Sequence, residues 1–256
     1  MRFLLSRRWI LFFVAVVLLA YLAFRLGEWQ FHRLDDRRER NAITERNLAA
    51  DPVPVQKVLS VRDPVSPQEE WRHITARGRY AEDETVVVRY QTRDGQSGVD
   101  VVTPLVTDQG PALLVDRGWL ATGNVGTTTR PDLPPPPSGD VTVRAWVRAD
   151  ATGDSAQVSD GSTRAISSVE IGKTLDTPVY QGFVDLDQET PAPAKPLEKV
   201  EMPDLGEGPH FFYGIQWWFF SALALFGFCY LVWDERRKLR RRPTDAKSEQ
   251  KVSVGE

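Results

Sequence analysis

WILFFVAVVLLAYLAF, residues 9–24, and FFYGIQWWFFSALALFGFCYLVW, residues 211–233, decide how the rest of this chain is read. The first run carries no charge, and Arg25-Leu26 extend it because a guanidinium reaches the headgroup region on its long stem. The second is long enough to cross the roughly 30 Å hydrocarbon layer outright. Between them the chain reads like a soluble protein. The 41% hydrophobic and 26% charged content of the 256 residues is therefore an average of two unlike parts.

A cleaved signal peptide competes for the first run, since Arg7-Arg8 precede it and Ser6-Arg7-Arg8 faintly resemble a twin-arginine signal. No small-x-small cleavage site follows, so the expectation is a retained anchor. Arg2, Arg7 and Arg8 precede the first span, and a cluster from Arg236 to Arg242 follows the second, which places both termini in the cytoplasm. Arg33, Arg37, Arg38 and Arg40 blur that signal little, because they belong to a long translocated loop and alternate with Asp35, Asp36 and Glu39.

The expected organisation is a cytoplasmic tail at 1–8, a transmembrane helix at 9–26, a helical extension at 27–50, an extracytoplasmic β-rich domain at 51–209, a second transmembrane helix at 210–233 and a basic, disordered tail at 234–256. Leu26, Trp29, Arg33 and Arg37 fall at helical spacing, and Asp51-Pro52-Val53-Pro54 end that helix. Alternation marks strands at 73–80, 84–90, 99–106, 112–120, 141–148 and 179–186, with a turn at Asp94-Gly95. Val101, Leu114 and Val143 are expected on inward faces. Residues 167–175 read as a short helix, 131–139 and 188–208 as proline-containing loops, and 152–162 as a small polar, mobile stretch. The fold class that follows is membrane α + β: two transmembrane helices flanking a mainly antiparallel, barrel-like domain.

Chemistry is sparse. The net charge of −3 argues against a nucleic-acid partner, while the terminal basic run suits anionic lipid headgroups. The single cysteine, Cys229, lies within the second span, so the exported domain has no disulfide. Three histidines, no nucleophile elbow and no phosphate loop leave no catalytic set, and two helices form little of a transport pathway.

Blocks at matching places are more telling: Leu26-Gly27-Glu28-Trp29-Gln30-Phe31-His32-Arg33 after the first span, then Gly78-Arg79-Tyr80, Val88-Arg89, Val101-Val102-Thr103-Pro104-Leu105 and Leu114-Val115-Asp116-Arg117-Gly118-Trp119-Leu120. His210-Phe211-Phe212-Tyr213-Gly214-Ile215-Gln216-Trp217 opens the second span. In this order the blocks resemble the Surf1/Shy1 family, of bacterial and actinobacterial type. The resemblance implies an assembly factor for haem-copper, aa3-type cytochrome c oxidase in the plasma membrane. Such a factor binds haem a and delivers it to the catalytic subunit, with haem a synthase as a further partner and without enzymatic turnover. Two departures stand out. Asp116 occupies a position where the family commonly has Asn, and Gly208-Pro209 precede His210 where asparagine-type residues are usual. Proline in a first helical turn is well tolerated because its missing N–H has no helical partner there.

His210, Tyr213, Gly214, Trp217 and Ser221 share one helical face. With the resemblance, His210 is expected to ligate haem iron, Tyr213 and Trp217 to flank the macrocycle, and small Gly214 and Ser221 to leave room beside Trp217. The same face equally suits close helix packing, and the aromatic residues equally suit an interfacial belt. Gln216 needs a partner in hydrocarbon, for which Gln30 or Arg33 qualify. Arg33 and Arg25 fit haem propionates, Arg25 fitting a snorkelling role better; Trp29 and Gln30 suit the junction between helix and domain. Arg117-Gly118-Trp119 read as structural, and His32 and His73 as ordinary polar residues. The rival from another class is a scaffold that stabilises an oxidase intermediate or a respiratory supercomplex without touching haem.

Overall fold

The computed structural model describes residues 2–123 and 130–252, in two compact units formed by residues 2–40 with 206–252 and by residues 41–205. The elements in chain order are α1 (Arg7–Ala49), β1 (Val53–Pro54), β2 (His73–Tyr80), β3 (Val86–Arg93), β4 (Gln96–Thr107), β5 (Ala112–Ala121), β6 (Val141–Arg148), β7 (Ser162–Thr163), α2 (Ser168–Gly172), β8 (Val179–Thr190) and α3 (His210–Val252). α1 runs unbroken from the apolar run through the expected extension and stops just before Asp51-Pro52. α1 and α3 are both long and apolar enough to cross a membrane. α3 stays helical across much of the expected disordered tail, where Lys238 pairs with Asp234 one turn back at 2.7 Å. The final four residues of that tail, and Met1 of the other, lie outside the described residues.

In the sheet unit, β2 and β6 occupy the spans that alternation assigns. β3 and β4 form a hairpin whose two-residue loop, Asp94 at φ 48° and Gly95 at φ 76°, is the left-handed pair that matches strand twist. β1 and β7, two residues each, fall outside the strands that alternation marks, and β7 begins at the last residue of the polar 152–162 stretch.

The sheet is mainly antiparallel, as expected, but mixed, because β8 joins it in parallel to β5. β2 pairs with β6, β6 with β8, β5 with β4 and β4 with β2, all antiparallel, but β5 and β8 run parallel. These five pairings form a cycle. An odd number of strands cannot alternate direction all the way round, so one neighbouring pair in such a cycle must be parallel. The short β1–β2 and β3–β7 pairings are parallel too.

Two apolar clusters share the sheet. One gathers Ile74, Leu113, Val115, Val143, Val147 and Val184; the other gathers Val102, Leu114, Ile166, Ile171 and Val179 beside α2. Side chains alternate across a strand, so Leu113 and Val115 face one cluster and Leu114 the other. Val101, Leu114 and Val143 are all fully buried, as expected, yet Leu114 belongs to the opposite cluster from Val143. The unbroken apolar run of β5 is the mark of a strand covered on both faces.

Arg117-Gly118-Trp119 has the structural character expected of it. Gly118 adopts φ 126°, and a methyl there would lie 2.4 Å from the Glu198 carbonyl oxygen. Trp119 pairs through its backbone with Glu198, so the 188–208 return is anchored to β5. Trp119 is buried against Gly98, with the Arg93 guanidinium 5.5 Å from its ring.

Beside this corner, Asp116 is buried and accepts the Gly118 N–H at 3.0 Å, with no ion pair among the described residues. Burial, reinforced by the Asp100 and Asp185 charges, pushes its carboxyl well above the ordinary range. Asp100, held by Arg93 at 3.1 Å, is itself raised to about 6, mainly by burial. A folded-state pKa raised above the unfolded value means that the native state binds the extra proton. The resulting stability is fully present below the unfolded value near pH 4 and is lost as pH rises through the folded one. Asp116→Asn, which needs no proton, is expected to gain on the parent as pH rises, by up to about 1.4 kcal/mol per pH unit. Thermal midpoints of both proteins in detergent at pH 5 and pH 8 check this; a gap that does not widen with pH would refute a protonated Asp116.

Candidate functional site

The sequence-derived site residues all fall in the unit built from 2–40 and 206–252. His210 opens α3, and Gly208 at φ 67° turns the chain into it. The preceding segment is tied to α1: Arg37 donates to the Gly206 carbonyl, and Arg38 pairs with Glu207 at 2.7 Å. The Tyr213 N–H bonds the Pro209 carbonyl at 3.1 Å, so the proline sits in the first turn at no cost to the helical ladder.

His210 Nδ1 lies 2.8 Å from Gln30 Oε1 on α1. When the amide oxygen accepts in this contact, Nδ1 carries the ring proton and Nε2 is the nitrogen with a free lone pair. This is how metal-ligating histidines are commonly oriented: a second group takes the far N–H and fixes tautomer and ring plane. Gln30 therefore acts inside this unit, on the histidine.

Gln216 is exposed and has no hydrogen bond among the described residues; of the two partners expected for it, Gln30 is engaged with His210 and Arg33 does not reach it. Trp29, Tyr213 and Arg33 are exposed, and Trp217 packs edge-on to Phe220 with centroids 6.0 Å apart. The room expected beside Gly214 is filled. A methyl on Gly214 would lie 2.7 Å from the Phe31 ring, and one on Gly27 would lie 2.3 Å from Trp218 and 3.2 Å from the Gly214 carbonyl oxygen. The two glycines thus let α1 and α3 approach, each accepting an aromatic side chain from the other helix. Ser221 donates to the Ala20 carbonyl at 2.9 Å, so it too faces α1.

Gly27 and Phe31 stand in the first quoted block and Trp218 directly follows the last, and they are what seats the helices together. Their signal is a glycine in an apolar helix with an aromatic residue one turn away, as at Gly27 with Phe31 and at Gly214 with Trp218. His32 is exposed. His73 is buried in the other unit, stacked on Trp146 at 3.9 Å, its basicity lowered by burial. Among the described residues no cluster of three or more His, Cys, Asp or Glu could hold a metal ion.

Two long apolar helices, the second opened by a histidine in contact with an amide of the first, and a mixed-sheet unit define the class of protein. The comparisons agree with the sequence blocks. Residues 17–222 match the SURF1 family, and the chain belongs to it. A SURF1-like protein of Mycobacterium tuberculosis is 31% identical over 245 residues, covering 93% of this chain and 89% of the relative. The cytochrome oxidase assembly protein SHY1 of Saccharomyces cerevisiae is 28% identical over 110 residues, covering 43% of this chain and 28% of its own. Human Surfeit locus protein 1 is 30% identical over 143 residues, covering 48% and 43% of the two chains.

Proposed function

We propose that this protein is an assembly factor for an aa3-type haem-copper cytochrome c oxidase, binding haem a through His210 and aiding its insertion into the catalytic subunit. One observation carries the reading: His210 Nδ1 lies 2.8 Å from Gln30 Oε1, a contact that, with the oxygen accepting, turns Nε2 toward an iron. Haem a would supply the redox and ligand chemistry of the oxidase; this chain holds, orients and releases it. Arg33, exposed and without an ion pair among the described residues, suits a propionate. Haem a synthase is the natural donor of the cargo and the oxidase catalytic subunit its acceptor. The protein acts as a carrier rather than an enzyme.

The protein would sit in the plasma membrane with both spans inserted, both termini cytoplasmic and residues 34–209 outside. The basic residues flanking the two apolar helices support that topology. A reporter fused after Pro196 is expected to read extracytoplasmic; a cytoplasmic signal would reverse the orientation. The cyclic strand pairing supports a barrel-like shape for the external domain.

The filled space at Gly214 favours the rival reading, a haem-free scaffold whose His210 face serves helix packing alone. Absorption spectroscopy separates the two. Protein purified from cells that make haem a is expected to carry a haem spectrum, and a colourless protein that still supports oxidase yield would establish the scaffold.

A further inference from the structure

At the opposite end of the helix pair from His210, α1 and α3 line a cavity of ≈ 470 Å³ within the same unit. α1 contributes Arg8, Trp9 and Phe12, and α3 contributes Leu231, Asp234, Glu235 and Lys238, whose spacing of three, four and seven residues is one helical stripe. Phe228, on the preceding turn, packs against Trp9 and Phe12 with centroids 6.3 and 5.7 Å away. The cavity therefore straddles the change from apolar to charged sequence on both helices, with an aromatic and aliphatic floor and a charged rim.

The rim is electrically balanced, two cations against two carboxylates. Lys238 and Asp234 neutralise each other at 2.7 Å. Arg8 and Glu235 have no hydrogen bond or salt bridge among the described residues. One unengaged guanidinium and one unengaged carboxylate beside an apolar floor suit a ligand carrying a phosphate, an N–H-bearing ammonium and hydrocarbon chains. An anionic lipid would meet two carboxylates, and a quaternary ammonium offers Glu235 no N–H to accept.

We propose that this cavity is a binding site for a zwitterionic phospholipid with a primary-ammonium headgroup. Arg8 takes the phosphate, Glu235 the ammonium, and Trp9, Phe12 and Leu231 the start of the chains. The proposal rests on the membrane placement of α1 and α3 argued above, and is independent of haem binding.

The test is native mass spectrometry of the full chain in detergent, offered equal amounts of dioleoyl phosphatidylethanolamine, phosphatidylcholine and phosphatidylglycerol. Phosphatidylethanolamine is expected to be retained about tenfold over the others, the scale of one charge-assisted hydrogen bond. Glu235→Gln should bring it down to the phosphatidylcholine level, and Arg8→Gln should lower all three, with helix content unchanged by circular dichroism. Equal retention of the three lipids, preference for phosphatidylglycerol or phosphatidylcholine, or an unaltered preference in Glu235→Gln overturns the site. Fractionation of the same cells keeps the two readings apart. A protein found in the soluble fraction defeats the membrane placement, whereas a membrane-bound one without the lipid preference defeats only this site.

Discussion

Gly78→Val is expected to unfold the sheet unit, because position 78 closes the cycle of strands. Gly78 on β2 pairs with Thr107 on β4, and any Cβ there would fall 2.1 Å from the Val106 carbonyl oxygen and 2.8 Å from the Thr107 Cα. Both neighbours are backbone, so nothing can swing aside; relief requires β2 and β4 to part. The unit would lose that pairing and expose part of the cluster built on Ile74, Val143 and Leu105. A cost of about 3 kcal/mol or more is expected for such overpacking, a large share of a domain's stability. Gly95→Ala is the comparison: Gly95 sits at φ 76° in open space, so only backbone strain of about 1–2 kcal/mol applies. Limited proteolysis and thermal midpoints should rank Gly78→Val far below Gly95→Ala. The reverse order would mean that β2 and β4 do not close the sheet.

His210→Ala should abolish the haem spectrum of the purified protein and lower oxidase yield while leaving insertion and folding intact. The side chain is at a helix entrance, only part-buried, and its one hydrogen bond among the described residues is to Gln30. Gln30→Leu separates positioning from ligation. It leaves the imidazole in place without its orienting acceptor, so haem should still bind but about 10–100-fold more weakly. His32→Ala, at an exposed position, is the clean control. His73→Ala is a poorer one, since His73 is 4% exposed and stacked on Trp146, and its removal costs core packing as well. Retention of the parent spectrum in His210→Ala would remove His210 from the site and leave it a polar helix-end residue.

The parts legible in the chain were those set by local rules. Uncharged runs of membrane length, two-residue alternation at 73–80 and 141–148, and Asp94-Gly95 with its left-handed pair each depend on near neighbours alone, and each stands in the structure. His210 and Gln30 were both picked out by their blocks, but their contact was not, because it joins residues 180 positions apart. The same holds for the glycines: Gly27 and Gly214 read as small residues in apolar helices, and only the packed pair reveals which aromatic ring each receives.

What the sequence by itself determined is the order of elements, two apolar helices with a strand-rich stretch between them, because hydrophobic length and periodicity are local properties of the chain. What only the tertiary structure decided is which strands pair and which face each side chain takes. β5 and β8 are parallel because five strands joined in a cycle cannot all alternate, and Leu114 faces away from Leu113 and Val115 because both faces of β5 are covered. Likewise the Asp116 carboxyl is pushed upward because folding buries it, with the Asp100 and Asp185 charges reinforcing the shift. Such outcomes depend on long-range closure and burial, which no window of sequence contains.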